Sequence, residues 1–357
     1  MITQTSRYID PEQPLVDLVH VGFPKTATTW LQRALLKENK DILCVGKPYL
    51  HPEFKVWMDG LASIPGLDFD VRAYRKQFMD LLKCHLPEDK ATLPRIISYE
   101  LLSGSLYMGY DSIELLHRIR AVLGPVHVNI TIREQAAMIE SLYAYFLRGG
   151  GSIGIREFLT ETNSPAVDMF GNPALLKRFQ YDRYIQAARD VFGTSKVNVI
   201  PYEALRSQGP LAFAAAFLSP LGLASHDEIA MHDKQENVSL SHAGLILLRW
   251  CNQVLPTPFS DSPLPGLLRQ YYIHFLRLYT QVDKLCFRHF PLHGRFIDRP
   301  LRSPLLRMLK IILGRRQADD DSSIADTIRT AYAESNTRTE ALTGLPLAEL
   351  GYSTDTD

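Results

Sequence analysis

The chain has 357 residues, 46% of them hydrophobic, and its 39 Lys+Arg balance 39 Asp+Glu for a formal net charge of zero. That is enough chain to bury a sizeable core, and the charge balance argues against a general nucleic-acid binder. Four widely spaced cysteines (Cys44, Cys84, Cys251 and Cys286) contain no Cys-x-x-Cys pair, which argues against both a zinc site and a disulfide framework and fits reduced thiols in the cytoplasm.

Apolar runs of β type recur at 16–23, 42–45, 94–99, 126–132 and 196–200. Helical patterns lie between them at 28–38, 70–85, 111–122, 134–147, 177–192 and 208–219. This alternation predicts an α/β fold, a parallel sheet covered by helices on both faces. Ligands on such sheets bind at the carboxyl ends of the strands. From about residue 241 the strands stop, and 241–255, 264–290 and 301–314 read as helices separated by Pro-rich breaks. Gln317 to Ser323 reads as an acidic polar linker, followed by a short helical tail over 324–342. The expected division is an α/β core over 1–240, a helical extension of the same domain over 241–316, and linker plus tail over 317–357. The N-terminus carries no apolar signal region, and the longest apolar stretches are too short to span a bilayer.

The first strand ends at Phe23 and runs into Pro24-Lys25-Thr26-Ala27-Thr28-Thr29-Trp30, after which a helical pattern begins. A helix start offers unpaired backbone N–H groups and the positive end of a dipole. A lysine and three hydroxyls make that loop an anion cradle, most naturally for phosphate. The plainer reading is a strand-to-helix turn with a Thr cap. The Walker spacing is not met, because the lysine comes at the start of the loop. The stretch resembles instead the 5′-phosphosulfate loop of sulfotransferases that use 3′-phosphoadenylyl sulfate (PAPS). It departs from them at Ala27, where most members carry glycine, and alanine is tolerable there if its φ stays negative.

The resemblance continues at Arg133, which ends the strand 126–132, and Ser141, eight residues on in the next helix. In PAPS enzymes such a pair donates to the 3′-phosphate, a task that suits the planar, permanently charged guanidinium. Lys196 to Ile200 run into Tyr202-Glu203-Ala204-Leu205, a family hallmark in which the tyrosine lies near adenine; a half-buried core tyrosine is the other reading of Tyr202. Lys234 is a candidate for the basic loop that closes over the 3′-phosphate. The resemblance covers about residues 16–255. It implies a P-loop-like fold, PAPS as co-substrate and 3′-phosphoadenosine 5′-phosphate (PAP) as product, held by Lys25 to Trp30, Arg133, Ser141, Tyr202 and Lys234. The missing N-terminal anchor separates the chain from Golgi members and points to a soluble enzyme of bacterial type.

Sulfuryl transfer to a hydroxyl needs a base, cations for the oxygens that gain charge, and in-line placement. Lys25 is the expected cation. Pro94-Arg95-Ile96-Ile97-Ser98-Tyr99-Glu100 overlays the family's strand that ends in a catalytic histidine, which places Glu100 in the histidine's position. His85, in Lys83-Cys84-His85-Leu86-Pro87, mimics the family motif but ends a helix. His51 and Glu53, after the second strand, are the reserves. The expectation is direct, metal-free transfer from PAPS to a hydroxyl on a saccharide, glycolipid or phenol. A nucleotide-dependent kinase on the same fold and a nucleotide-binding protein without catalysis are the alternatives. Leu301 to Arg316 combines apolar residues at helical spacing with a basic surround; docking on the core is the preferred reading, and peripheral contact with an anionic membrane is the other.

Overall fold

The computed structural model describes residues 12–37, 39–106, 109, 111–160, 177–223, 242–254 and 304–355. At its centre is a five-stranded sheet in the order β2-β3-β1-β4-β5, made of β1 (Leu18–His20), β2 (Leu43–Cys44), β3 (Arg95–Ser98), β4 (His127–Ile132) and β5 (Val197–Pro201). Every pairing is parallel, with His20 in register with Ser98 on one side and Asn129 on the other. The expected α/β architecture is therefore present, and each of the five expected runs supplies one strand. β1 lies centrally. The chain first builds β2 and β3 to one side of it and then crosses to β4 and β5 on the other, so the carboxyl end of β1 is where the winding changes direction. Open parallel sheets bind ligands at such points.

Side chains alternate across each strand, and both faces are buried. Leu18, Ile96 and Ile200 pack with Leu31, Leu35, Phe213 and Phe217 in one cluster. The helices on that face are Thr28–Trp30, which continues as a π-helical stretch over Leu31–Leu36, and Pro210–Leu218. Pro52–Ser63, Val71–His85, Ser112–Leu123 and Tyr181–Phe192 belong to the same compact unit. Their ends carry recognisable stop and start chemistry. Asp70 caps Val71–His85 by accepting from Arg72 N and Ala73 N at 2.9 and 3.0 Å, and Gly193 ends Tyr181–Phe192 with φ 89°.

Two compact units make up the chain. The first comprises Met1–Glu134, Arg178–His232 and Tyr332–Asp357 and contains the sheet; the second comprises Gln135–Lys177 and Asp233–Ala331. The units are interleaved in sequence, whereas the sequence reading cut the chain at 240 and 316. Within the second unit, Asn252 donates to the carbonyls of Leu147 and Gly151, both at 2.7 Å, and so satisfies the end of the helix Gln135–Arg148. Arg249 Nε donates to Ser152 O at 3.1 Å.

Two local expectations change. Residues 317–323 are not a linker: they lie inside one helix, Pro304–Thr343. The acidic stretch holds neither Gly nor Pro, so a helix already nucleated on both sides propagates through it. The helix Pro52–Ser63 was not foreseen. His51 caps it, Nδ1 accepting from Glu53 N at 3.4 Å, and Pro52 takes the first helical position. Residues 301–303, like Lys234, lie outside the described residues, and of 304–323 the backbone alone is described. Among the described residues no helix is long and apolar enough to cross a membrane.

Candidate active site at the carboxyl ends of β3, β1 and β4

The loop leaving β1 is held in an alternating backbone. Lys25 (φ 65°) and Ala27 (φ 58°) are the two non-glycine residues with positive φ among those described, and Thr26 lies between them. Such alternation turns successive N–H groups inward and forms a concavity suited to an anion. The condition under which alanine would be easily tolerated, a negative φ, is not met at Ala27. Ala27 sits where glycine is comfortable and bears the left-handed conformation despite its Cβ, at a cost of about 1–2 kcal/mol. Residues in this state persist when their surroundings over-determine them, and here they do. Thr26 is fully buried. Its hydroxyl donates to Phe23 O at 2.6 Å and lies 2.7 Å from Thr131 Oγ1. The carbonyl of Lys25 accepts from Arg133 Nη1 at 3.0 Å.

Arg133 follows β4, as expected, and is tied to the loop directly by that bond. Its peptide is gripped by Tyr181, whose hydroxyl donates to Arg133 O at 2.6 Å. Its guanidinium lies over the Tyr202 ring, 5.0 Å from the centroid. Tyr202 is half-buried and its N–H donates to Ile132 O at 2.8 Å. The next residue, Glu203, accepts from Glu134 N at 3.1 Å and from the Tyr352 hydroxyl at 2.7 Å. Burial pushes the Glu203 carboxyl above the usual range, against the pull of these hydrogen bonds. The Tyr-Glu pair is thus the support under Arg133. Arg133 Nε is buried and has no hydrogen-bond partner among the described residues, so a phosphate oxygen fits it as an acceptor.

On the other side, Glu100 begins the short 3₁₀ turn Glu100–Ser103 just past β3. The hydroxyl of Thr28, at the start of the loop helix, donates to Glu100 Oε1. Lys47 Nζ stands 3.9 Å from the same oxygen. Glu100 opens on a cleft of about 330 Å³ lined also by Lys47, Tyr49, Lys55, Tyr99 and Leu101. Burial, with the charges of Asp59 and Glu100 adding to it, pushes the Tyr49 hydroxyl up to about 12, so it stays protonated. Tyr99 donates to Asp59 Oδ1.

Trp30 packs edge-on against Phe213 at 6.0 Å and serves the core. Ser141 is half-buried on the helix Gln135–Arg148 and belongs to the second unit. His51, Glu53 and His85 meet one another. The two imidazoles stack at 3.8 Å with 13° between their planes, and His85 Nε2 lies 3.1 Å from Glu53 Oε2. One ligand atom from each of the three lies within 4.8 Å of the others, so a divalent ion could be held there. The stack, however, keeps the two imidazole lone pairs in separate, nearly parallel planes, and sharing an ion requires a ring to turn.

Sequence reasoning missed a row of buried polar side chains beneath the loop: His20, Ser98, Thr131 and Gln32. The available signal was a polar residue at or next to the carboxyl end of each of three strands, His20, Ser98 and Thr131. No protein-family model matches the chain and no curated protein matches it. Among solved structures the chain is similar to a sulfotransferase from Alicyclobacillus acidocaldarius, at 17% identity and TM-score 0.44 over 62% of this chain and 87% of that one, and to the sulfotransferase domain from the curacin biosynthetic pathway, at 12% identity and TM-score 0.39 over 65% of this chain and 83% of that one.

Proposed function

We propose that the chain is a PAPS-dependent sulfotransferase acting on a hydroxyl acceptor. The observation that carries this reading is the direct linkage of three strand ends. Glu100 after β3 bonds Thr28 of the loop, and Arg133 after β4 bonds Lys25 of the same loop. An anion cradle, an arginine with a spare buried donor and a carboxylate are thereby fixed to one another at the carboxyl side of a parallel sheet.

In this reading the N–H groups of the loop and Lys25 take the 5′-phosphosulfate, and Arg133 takes the 3′-phosphate. Glu100 accepts the proton of the acceptor hydroxyl. Thr28 and Lys47 both address Oε1, which leaves Oε2 as the oxygen for that proton. The acceptor oxygen forms the new S–O bond as the bond from sulfur to the bridging phosphate oxygen breaks, and PAP leaves. Lys25 offsets the charge that grows on the bridging oxygen, an interaction strongest in the transition state. The Glu100 cleft, with its tyrosine hydroxyls and its exposed Leu101, suits an acceptor with both polar and apolar faces, such as a sugar, a glycolipid headgroup or a phenol.

Calorimetry with PAP and with 5′-AMP tests the nucleotide assignment. PAP is expected to bind far more tightly, because Arg133 engages the 3′-phosphate. Equal affinity for the two would sink the reading. Transfer from ³⁵S-labelled PAPS to fractionated glycans, lipids and phenols would then identify the acceptor class.

A further inference from the structure

We infer that His20 is the positioning residue of the loop: as a neutral imidazole with its proton on Nε2, it carries a one-way hydrogen-bond chain from Gln32 to the Phe23 carbonyl that pins Thr26 between the two left-handed residues. The functional weight of this inference rests on the reading of the loop as an anion site; the chain itself rests on geometry alone.

The direction of every bond follows from its far end. Thr26 has one hydroxyl proton, and it goes to Phe23 O, a group that can only accept. The contact between Thr26 Oγ1 and Thr131 Oγ1, 2.7 Å, must then be donated by Thr131. That spends the Thr131 proton, so His20 Nε2, 3.1 Å from Thr131 Oγ1, must carry a hydrogen and donate it. A neutral imidazole with Nε2–H has a lone pair on Nδ1, and Ser98 Oγ, 2.9 Å away, donates to it. Ser98 in turn accepts from Gln32 Nε2 at 3.2 Å. The sequence Gln32, Ser98, His20, Thr131, Thr26, Phe23 therefore has a single consistent set of protons.

A doubly protonated His20 would present a second N–H to Ser98 and leave the Ser98 hydroxyl without its acceptor. The surroundings oppose that state: burial lowers the His20 pKa to about 3, and Phe217 lies edge-on to the ring at 5.1 Å. Gly22 serves the same arrangement, since a Cβ there would come within 2.3 Å of Thr131 Oγ1 and 2.5 Å of His20 Nε2. The chain crosses β3, β1 and β4 just below the loop. It therefore holds the strained segment Lys25–Ala27 to the sheet through Thr26, which has no direct contact with solvent. Fixing such a loop before the ligand arrives removes an ordering cost from binding.

The test uses the full-length protein with Thr131→Val and Thr131→Ser. Valine matches threonine in shape but cannot relay a proton, whereas serine can, so a packing role and a relay role give opposite orders. Imidazole ¹⁵N spectra, with the His20 signal assigned by its loss in His20→Gln, should show wild-type His20 neutral and protonated on Nε2, and unchanged between pH 7.5 and 5.5. Thr131→Val should shift the tautomer balance, move the amide signals of Lys25 to Thr28 and weaken PAP binding roughly tenfold, as expected for a buried donor left unpaired. Thr131→Ser should stay within about twofold of wild type. A His20 protonated on Nδ1 or on both nitrogens would overturn the inference, as would Thr131→Val with wild-type loop signals. Should the wild-type protein fail to bind PAP, the nucleotide reading falls; the relay is then decided by the tautomer and the loop amides alone.

Discussion

Thr28 donates its hydroxyl hydrogen to Glu100 Oε1 and so joins the first helical residue of the loop to the first residue of the turn after β3. A hydroxyl on a carboxylate is a charge-assisted bond, stronger than a neutral one. Glu100 is consequently both a candidate base and part of the frame of the anion loop. The two roles separate experimentally only when binding and turnover are measured on the same variant.

Glu100→Gln keeps an oxygen for Thr28 and removes the proton acceptor. Turnover should fall by roughly 10²–10⁴-fold, the usual effect of losing a general base, while PAP affinity stays nearly unchanged. His85→Ala should have a mild effect, since His85 stacks on His51 and faces Glu53. Steady-state kinetics and calorimetry on both variants check this, and the reverse order would move catalysis to the His51–Glu53–His85 cluster.

Lys25→Ala should lower kcat more than it weakens PAP binding. The lysine is assigned to charge that develops on the bridging oxygen as transfer proceeds, and losses of that kind appear in kcat. A rise confined to KM for PAPS would make Lys25 a ground-state binder.

Ala27→Gly should leave stability level or raise it slightly. Relief of the left-handed alanine is worth about 1–2 kcal/mol, and the greater freedom of glycine in the unfolded chain takes back about 0.4–1 kcal/mol. Urea unfolding of the two proteins measures the net. A loss of more than about 1 kcal/mol would show that the alanine methyl makes a contact outweighing its strain.

The buried His20 gives the fold a defined acid sensitivity. Its folded pKa, about 3, lies below the ordinary 6.5, so between those values the unfolded chain binds the extra proton. The stability due to neutral His20 is full above pH 6.5 and declines as pH falls toward 3, by about 1.4 kcal/mol per unit. Glu203, with its raised carboxyl, works in the opposite sense above the ordinary carboxyl range, so the comparison must be with His20→Gln. Between pH 7 and 5 the wild type should lose about 2 kcal/mol more than that variant in denaturant unfolding. Parallel losses would mean that His20 is protonated in the folded state.

The five strands and the loop after β1 were readable from sequence because their signals are local. An apolar run of strand length ending in Pro24-Lys25-Thr26 needs no distant partner to be recognised, and Arg133 is marked by its place at the end of a run. Glu100 was singled out by its place at the end of a run and by the resemblance of Pro94 to Glu100 to the family's strand. The acidic stretch 317–323 misled because polarity resembles a linker, while helix propagation depends on the absence of Gly and Pro rather than on apolar content. The left-handed conformation of Ala27 was hidden because the residue type argues against it; its stability comes from Thr26 and from Arg133, which follows another strand. The helix Pro52–Ser63 was obscured by Pro52 and by Gly60, a glycine explained by Tyr74, whose hydroxyl stands 2.3 Å from where a Cβ would be. The His20 chain lay furthest from reach. His20 is 78 residues from Ser98 and 111 from Thr131, and a histidine in an apolar strand carries no mark of its partners. Composition and periodicity fixed which segments become strands; strand order alone brought those hydroxyls around one imidazole, because a parallel sheet makes neighbours of residues that the chain keeps far apart.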